Sequence, residues 1–175
     1  MVSSSNNGPL LPFQAIYKGS TQTSLLSKKA KSYKEATEAG FLFESSMMQT
    51  YWSTQETMHS FVNQILVPYY SKTKVQLGIP PEQQSMWQID CWLVHRSEAF
   101  MTWMGKNHEN IIVNFVPERS TGLFQLADVG IQCILKQSMR RSAHADVVNE
   151  VLKKLAHGQA TEAISINSKL GVLRD

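Results

Sequence analysis

The alternation of apolar and polar positions predicts three strands and one amphipathic helix in the first two thirds of the chain. Apolar and aromatic residues dominate segments 10–18, 85–91 and 111–116, each bounded by glycine, proline or polar turn residues. From residue 53 to 70 the apolar residues recur at intervals of three and four, which is the period of a helix with one buried face. A further helix is predicted at 97–108, between the last two strands. Strand, helix and strand in this order predict a parallel crossover unit, so we expect an α/β fold.

Local signals predict where the helices begin, bend and end. Ser53 and Glu56 have the spacing of a capping box at the start of the amphipathic helix. Pro68 lies inside that helix and predicts a kink or an end, because proline has no backbone N–H to donate. Towards the C-terminus we expect two helices, at 125–142 and 144–155, the first with Val129, Cys133 and Ile134 facing inward.

Composition limits the class of protein. A chain of 175 residues with 42% apolar and 18% charged residues is typical of one globular domain, here 1–175. No apolar run approaches the roughly 20 residues of a membrane span, so no membrane association is expected. Two cysteines without motif spacing argue against a disulfide framework and a thiolate zinc site, and favour a reducing compartment.

The net charge of +3 is small, but the basic residues are unevenly distributed. Residues 1–34 contain several lysines and no acidic residue, and a second basic group consists of Lys136, Arg140 and Arg141. Basic surface near a carboxylate site would suit an enzyme that holds nucleic-acid phosphates. On charge alone, a solvated lysine-rich surface explains the same pattern better.

Two aspartates are the candidate functional residues. Asp90 lies at the end of an apolar strand, where an ionised carboxylate is expensive to bury without a partner. Asp128 lies where a loop turns into a helix, and the two carboxylates would suit a divalent-metal site for phosphodiester chemistry. Spacing alone supports equally a loop-capping role for Asp90 and a helix-dipole role for Asp128. His95 is a candidate supporting donor or phosphate contact, or an ordinary hydrogen-bonding residue of the loop.

Three blocks of sequence occur in an order that carries a family resemblance. They are residues 8–19 (GPLLPFQAIYKG), 89–97 (IDCWLVHRS), and 115–117 (FVP) with 120–125 (STGLFQ), 128–130 (DVG) and Lys136. Together they resemble the DDE superfamily endonucleases, specifically the pogo, Tigger and jerky type transposases of the mariner superfamily, and the fungal members most. The resemblance covers nearly the whole chain.

The resemblance implies a fold, a site and a substrate. The fold would be ribonuclease H-like, a mixed sheet flanked by helices. Asp90 and Asp128 would be catalytic carboxylates and ligands of Mg²⁺ or Mn²⁺, and DNA would be the substrate. At such a site His95, from its position, would support the metal ligands, and the basic residues Lys136, Arg140 and Arg141, from their charge, would hold nucleic acid. Nuclear localisation follows from that substrate, and a homo-oligomer is a further expectation.

Two departures from the family pattern modify this expectation. Leu126 replaces the proline that usually follows the glutamine. The chain also begins after the point where the family has its first catalytic Asp and its first, central strand. We therefore expect a partial domain that does not cleave DNA by itself. The alternatives are a non-catalytic DNA- or protein-binding module of transposon origin, and an unrelated α/β interaction domain.

Overall fold

The computed structural model describes residues 1–30, 32–117 and 130–157. The chain divides into two compact units, Met1–Ala127 and Asp128–Asp175. The strands are β1 (Gln14–Tyr17), β2 (Leu42–Ser45), β3 (Ser85–Ile89) and β4 (Ile111–Phe115). The helices are α1 (Tyr33–Glu38), α2 (Gln55–Phe61), α3 (Val67–Leu77), α4 (Glu98–Asn107) and α5 (Gln132–Ala156), with a 3₁₀ turn at Gln22–Ser24 and a π-helical segment at Val62–Leu66.

The predicted parallel crossover unit is confirmed. Strands β3 and β4 pair in parallel from Ser85 opposite Ile111 to Ile89 opposite Phe115, and α4 connects them. In β3, Trp87 is buried while its neighbours Met86 and Gln88 are exposed. The strand therefore buries one face and exposes the other. It also ends two residues earlier than predicted, at Ile89.

The N-terminal strands form a second parallel pair. Strand β1 pairs with β2, from Gln14 opposite Leu42 to Tyr17 opposite Ser45. Residues 1–5 fold back antiparallel on the residues before β1 through a bridge between Ser4 and Leu10. The described residues therefore form two separate two-stranded sheets within an α/β architecture. The ribonuclease H-like arrangement and its missing central strand remain predictions.

The amphipathic helix supplies the centre of the core, as its apolar spacing predicted. The α2 residues Met58 and Phe61 and the first residue of the π-helical segment, Val62, are fully buried. They belong to one apolar cluster with Trp87 of β3 and Phe100 of α4. Burial of such large side chains is the main favourable term in folding, so this cluster fixes the crossover unit against the helix.

The beginning of α2 differs by one residue from the prediction. The N-cap is Thr54, whose hydroxyl accepts a hydrogen bond from the Thr57 backbone N–H at 3.4 Å. The Thr57 hydroxyl accepts in return from the Thr54 backbone N–H at 2.9 Å. The capping box is therefore Thr54 with Thr57, and the predicted pair of Ser53 with Glu56 is wrong. A threonine hydroxyl at the third helical position can complete the box as a glutamate carboxylate does.

Pro68 changes the helix without ending it. Immediately before it, Val67 donates its backbone N–H to the Val62 carbonyl, one residue further back than in an α-helix. This wider π-helical turn coincides with the proline, which has no N–H and crowds the carbonyl of the preceding turn. The helix then continues as α3 to Leu77, and Gly78 ends it in the left-handed conformation at φ 63°.

Beyond residue 130 the structure contains one long helix where two were predicted. Helix α5 runs unbroken from Gln132 to Ala156, because neither glycine nor proline interrupts it. Cys133 and Ile134 were expected to face inward, but both are exposed, and Val129 lies outside the described residues. None of the described helices is both long and apolar enough to cross a membrane.

Candidate metal and nucleic-acid site

Asp90 lies immediately after β3, at the carboxyl end of the parallel strand pair. The Val116 backbone N–H donates to the Ile89 carbonyl at 2.8 Å, which extends the pairing up to this point. The side chain of Asp90 is 40% exposed. A carboxylate at this edge can contact both the strand ends and solvent, which is where ligands bind in parallel α/β sheets.

His95 holds the Asp90 carboxylate. Its Nδ1 lies 2.5 Å from Asp90 Oδ1 and 3.4 Å from the Asp90 carbonyl oxygen, so the ring donates its Nδ1–H to this residue. His95 is only 7% exposed, and its Nε2 is buried without a hydrogen-bond partner. A histidine that donates to a carboxylate fixes its own tautomer and limits the rotation of the carboxylate.

The loop between Asp90 and α4 is fastened at both ends. Ser97 is the N-cap of α4, and its hydroxyl accepts from the Phe100 N–H at 3.3 Å and donates to the Val94 carbonyl at 2.8 Å. Gln55 of α2 donates its side-chain amide to the same hydroxyl at 2.6 Å. At the other end Cys91 donates its thiol to the Val116 carbonyl at 2.8 Å. The geometry of Asp90 and His95 is therefore set by both neighbouring elements.

The second candidate carboxylate, Asp128, lies outside the described residues, as does Leu126. Within the parts of the chain that the structure describes, no group of three or more His, Cys, Asp or Glu side chains forms a metal-binding cluster. Asp90 has the chemistry of one hard oxygen ligand, which suits Mg²⁺ or Mn²⁺. The pairing of Asp90 with Asp128 remains a prediction.

The predicted nucleic-acid contacts lie on α5. Lys136, Arg140 and Arg141 are all exposed, and the four-residue spacing of the first two places them on the same side of the helix. From residue 129 to 145 the sequence contains no acidic residue. This part of α5 is therefore a cationic surface without nearby carboxylates on its own helix.

A cavity of about 170 Å³ lies at the opposite end of the strand pair, beside Ser85 and Ile111. Two of its polar side chains already have protein partners: Lys74 donates to the Pro81 carbonyl at 2.8 Å, and the Tyr70 hydroxyl donates to the Met86 carbonyl at 2.7 Å. Burial raises the pKa of Tyr70 to about 12. These polar groups are thus used within the protein, so this cavity is not the candidate site.

The sequence analysis missed an exposed aromatic group beside Asp90. Trp52 stacks on Trp92 with ring centroids 4.8 Å apart, and Tyr51 lies next to Trp52 at 5.3 Å. The available signal was a pair of large aromatic residues within a polar Ser- and Thr-rich segment, where no core pattern requires them.

The fold and the site together define an α/β protein with a histidine-held carboxylate at the carboxyl end of a parallel strand pair. The model of the DDE superfamily endonuclease family matches residues 1–167, and the chain belongs to this family. Family membership is thus confirmed, whereas the subfamily remains a prediction. No curated protein and no solved structure matches the chain.

Proposed function

We propose that this DDE-family domain binds DNA and a single divalent metal ion, and that it does not cleave DNA by itself. The observation that carries the proposal is the Asp90 carboxylate, partly exposed at the strand end and held by buried His95. Because the imidazole restricts the carboxylate before any ion arrives, less ordering is needed on binding.

The metal site that we propose consists of Asp90, with Asp128 as the second ligand suggested by the family pattern. When bound, Mg²⁺ or Mn²⁺ would polarise a phosphate oxygen of the DNA. Asp90 would bind the ion, and His95 would keep the carboxylate oriented. Two carboxylates are enough to bind one ion weakly. Strand cleavage by two ions, which stabilise the attacking and the leaving oxygen of the phosphodiester, needs more ligands. We therefore propose that the domain binds one ion and does not cleave DNA.

The DNA contact that we propose is the cationic half of α5. Exposed Lys136, Arg140 and Arg141 can each neutralise one phosphate, and such contacts release counterions. Three contacts predict that the logarithm of the binding constant falls with the logarithm of salt concentration with a slope of about −2.7. Because DNA is the proposed partner, we also propose nuclear localisation, which a fluorescent fusion would test. A homo-oligomer is a further proposal, which light scattering would test.

The metal proposal is tested by Mn²⁺ titration, followed by electron paramagnetic resonance, and by strand cleavage of duplex DNA. We expect weak Mn²⁺ binding that is lost in Asp90→Asn and reduced in Asp128→Asn. We expect no DNA cleavage in the presence of either Mg²⁺ or Mn²⁺. Asp146→Asn, which removes an exposed carboxylate of α5, is the matched control and should bind as the original chain does. Cleavage that Asp90→Asn abolishes would overturn the proposed inactivity, and unchanged Mn²⁺ binding in that variant would overturn the metal site.

The DNA contact is tested by measuring duplex binding at several salt concentrations. Replacing Lys136, Arg140 and Arg141 by glutamine should flatten the salt slope towards zero. Replacing Lys153 and Lys154, at the other end of the same helix, removes a similar charge and should change the slope little. Equal effects of the two sets of substitutions would show that net charge, and not this surface, holds the DNA.

A further inference from the structure

The exposed aromatic rings beside Asp90 form one continuous surface. Tyr51, Trp52 and Trp92 are 57%, 49% and 38% exposed. Their planes are tilted by only 31° from Tyr51 to Trp52 and by 24° from Trp52 to Trp92. These three rings, which we call the aromatic platform, stack in series, and each residue remains at least one third exposed. A contiguous group of exposed aromatic side chains usually marks a binding site.

The loop that carries two of these rings is held in a single conformation. Ser46 is buried, and its hydroxyl accepts from the Met48 N–H at 3.2 Å and donates to the Thr50 carbonyl. Between them Met47 has φ 56°, a left-handed conformation that costs a non-glycine residue about 1 kcal/mol or more. Strain of this kind persists only where the surrounding contacts impose it, so the platform is organised before a ligand arrives.

The position of the platform connects it with the proposed DNA site. Trp92 comes two residues after Asp90 in the loop that His95 fastens. On the other side, the Gly19 N–H donates to the Met48 carbonyl at 2.9 Å, which places the residue after Lys18 against the platform loop. Residues 1–34 contain lysines and no acidic residue, and residues 46–55 are uncharged. Exposed Lys18, next to this contact, can attract a phosphate towards the platform loop.

Exposed aromatic ring surface next to a cationic residue is complementary to unpaired nucleotides. Proteins that bind single strands combine stacking of bases on aromatic side chains with cations along the backbone, and this recognition tolerates any base. Paired bases within a duplex already stack on one another, so they offer no free face. An apolar protein partner would not explain the cation, Lys18, that adjoins the platform loop.

We propose that Tyr51, Trp52 and Trp92 stack one or two unpaired nucleotides of the DNA strand held at the Asp90 end of the domain. The identity of the strand rests on the proposed DNA-binding function, whereas stacking itself needs neither the metal nor Asp90. Each tryptophan then contributes to the affinity for single-stranded DNA and contributes little to the affinity for a blunt duplex.

The experiment is a titration of the whole chain with a short oligothymidylate in EDTA, followed by tryptophan fluorescence. We expect quenching on binding, and an affinity lower by about 5- to 150-fold in Trp52→Ala and in Trp92→Ala. Trp52→Phe should retain most of the affinity, because phenylalanine also stacks. Trp103→Phe alters a ring packed on His59 at 3.9 Å, away from the platform, and should leave the affinity unchanged.

Three results would overturn the proposal. Trp52→Ala and Trp92→Ala could bind the oligonucleotide as tightly as the original chain does. They could also lower the affinity for a blunt duplex by the same factor as the affinity for the oligonucleotide. Alternatively, light scattering could show that both substitutions only dissociate a self-associated form, which would make the platform a contact between copies of the chain. Because the titration contains no free metal, loss of Mn²⁺ binding in Asp90→Asn reports separately on the metal proposal.

Discussion

Replacing His95 by leucine should weaken metal binding while leaving the stability of the fold nearly unchanged. The substitution keeps a side chain of similar volume at a position that is only 7% exposed. It removes the 2.5 Å contact from Nδ1 to Asp90 Oδ1, a charge-assisted hydrogen bond worth about 1.5–3 kcal/mol. It also removes Nε2, which is buried without a partner. An unsatisfied buried polar atom costs about 1–3 kcal/mol.

These two contributions oppose each other, so the net change in the free energy of unfolding should lie within about 2 kcal/mol of zero. For the metal affinity, no second contribution offsets the loss of the hydrogen bond that orients Asp90. Loss of a group that orients a metal ligand typically lowers affinity by about 10- to 100-fold. We therefore expect the Mn²⁺ affinity of His95→Leu to fall by that factor while the urea midpoint moves little.

The assay pairs Mn²⁺ titration with urea denaturation of each variant. His144→Leu removes an exposed histidine of α5 and is the matched control, with neither quantity expected to change. His95→Gln keeps a side-chain donor and should recover part of the affinity. If His95→Leu lost more than about 3 kcal/mol of stability and bound Mn²⁺ normally, His95 would serve the core alone and the reasoning would be refuted.

Three further predictions concern the framework that positions this site. Phe100→Ala should lower the free energy of unfolding by about 3–5 kcal/mol, measured in urea, because the ring is fully buried; unchanged stability would contradict the assigned core. Thr54→Ala should lower the free energy of unfolding by about 1 kcal/mol because it removes the helix cap. It should also raise the pKa of Glu56, which is lowered first by a hydrogen bond from the backbone amide of Glu56 and then by the Thr54 hydroxyl. Carboxyl NMR titration measures this shift, and an unchanged pKa would exclude the contact. Burial lowers the pKa of His108, so the folded state resists protonation there. Stability should fall as pH drops below about 6.5, and His108→Gln should reduce this pH dependence of the urea midpoint; an equal dependence in the variant would assign it to other groups.

Several of these features could be predicted from the sequence because they depend on local periodicity. The spacing of Met58, Phe61 and Val62 predicted their shared burial, and the apolar runs around Trp87 and Ile111 predicted strands. Boundaries were less accurate. The N-cap is Thr54 and not Ser53, since both hydroxyls can cap a helix and only the backbone conformation at residue 54 selects between them.

Other features depend on neighbours that are distant in the sequence. Nothing near Trp52 predicts that it stacks on Trp92, 40 residues later, or that both rings remain exposed. Likewise, the contact between Gln55 and Ser97 joins the starts of two helices and has no sequence signal. Such contacts arise only when the crossover unit packs on the central helix.

The sequence by itself determined the family, the α/β class and the position of Asp90 at the end of a strand, because each follows from the order and periodicity of residues along the chain. The tertiary structure alone decided that β1 pairs with β2 and β3 with β4 in separate sheets, and that His95 turns inward to hold Asp90. The physical reason is that strand pairing and side-chain burial depend on which surfaces exclude water together, and that choice is made by the whole packed chain.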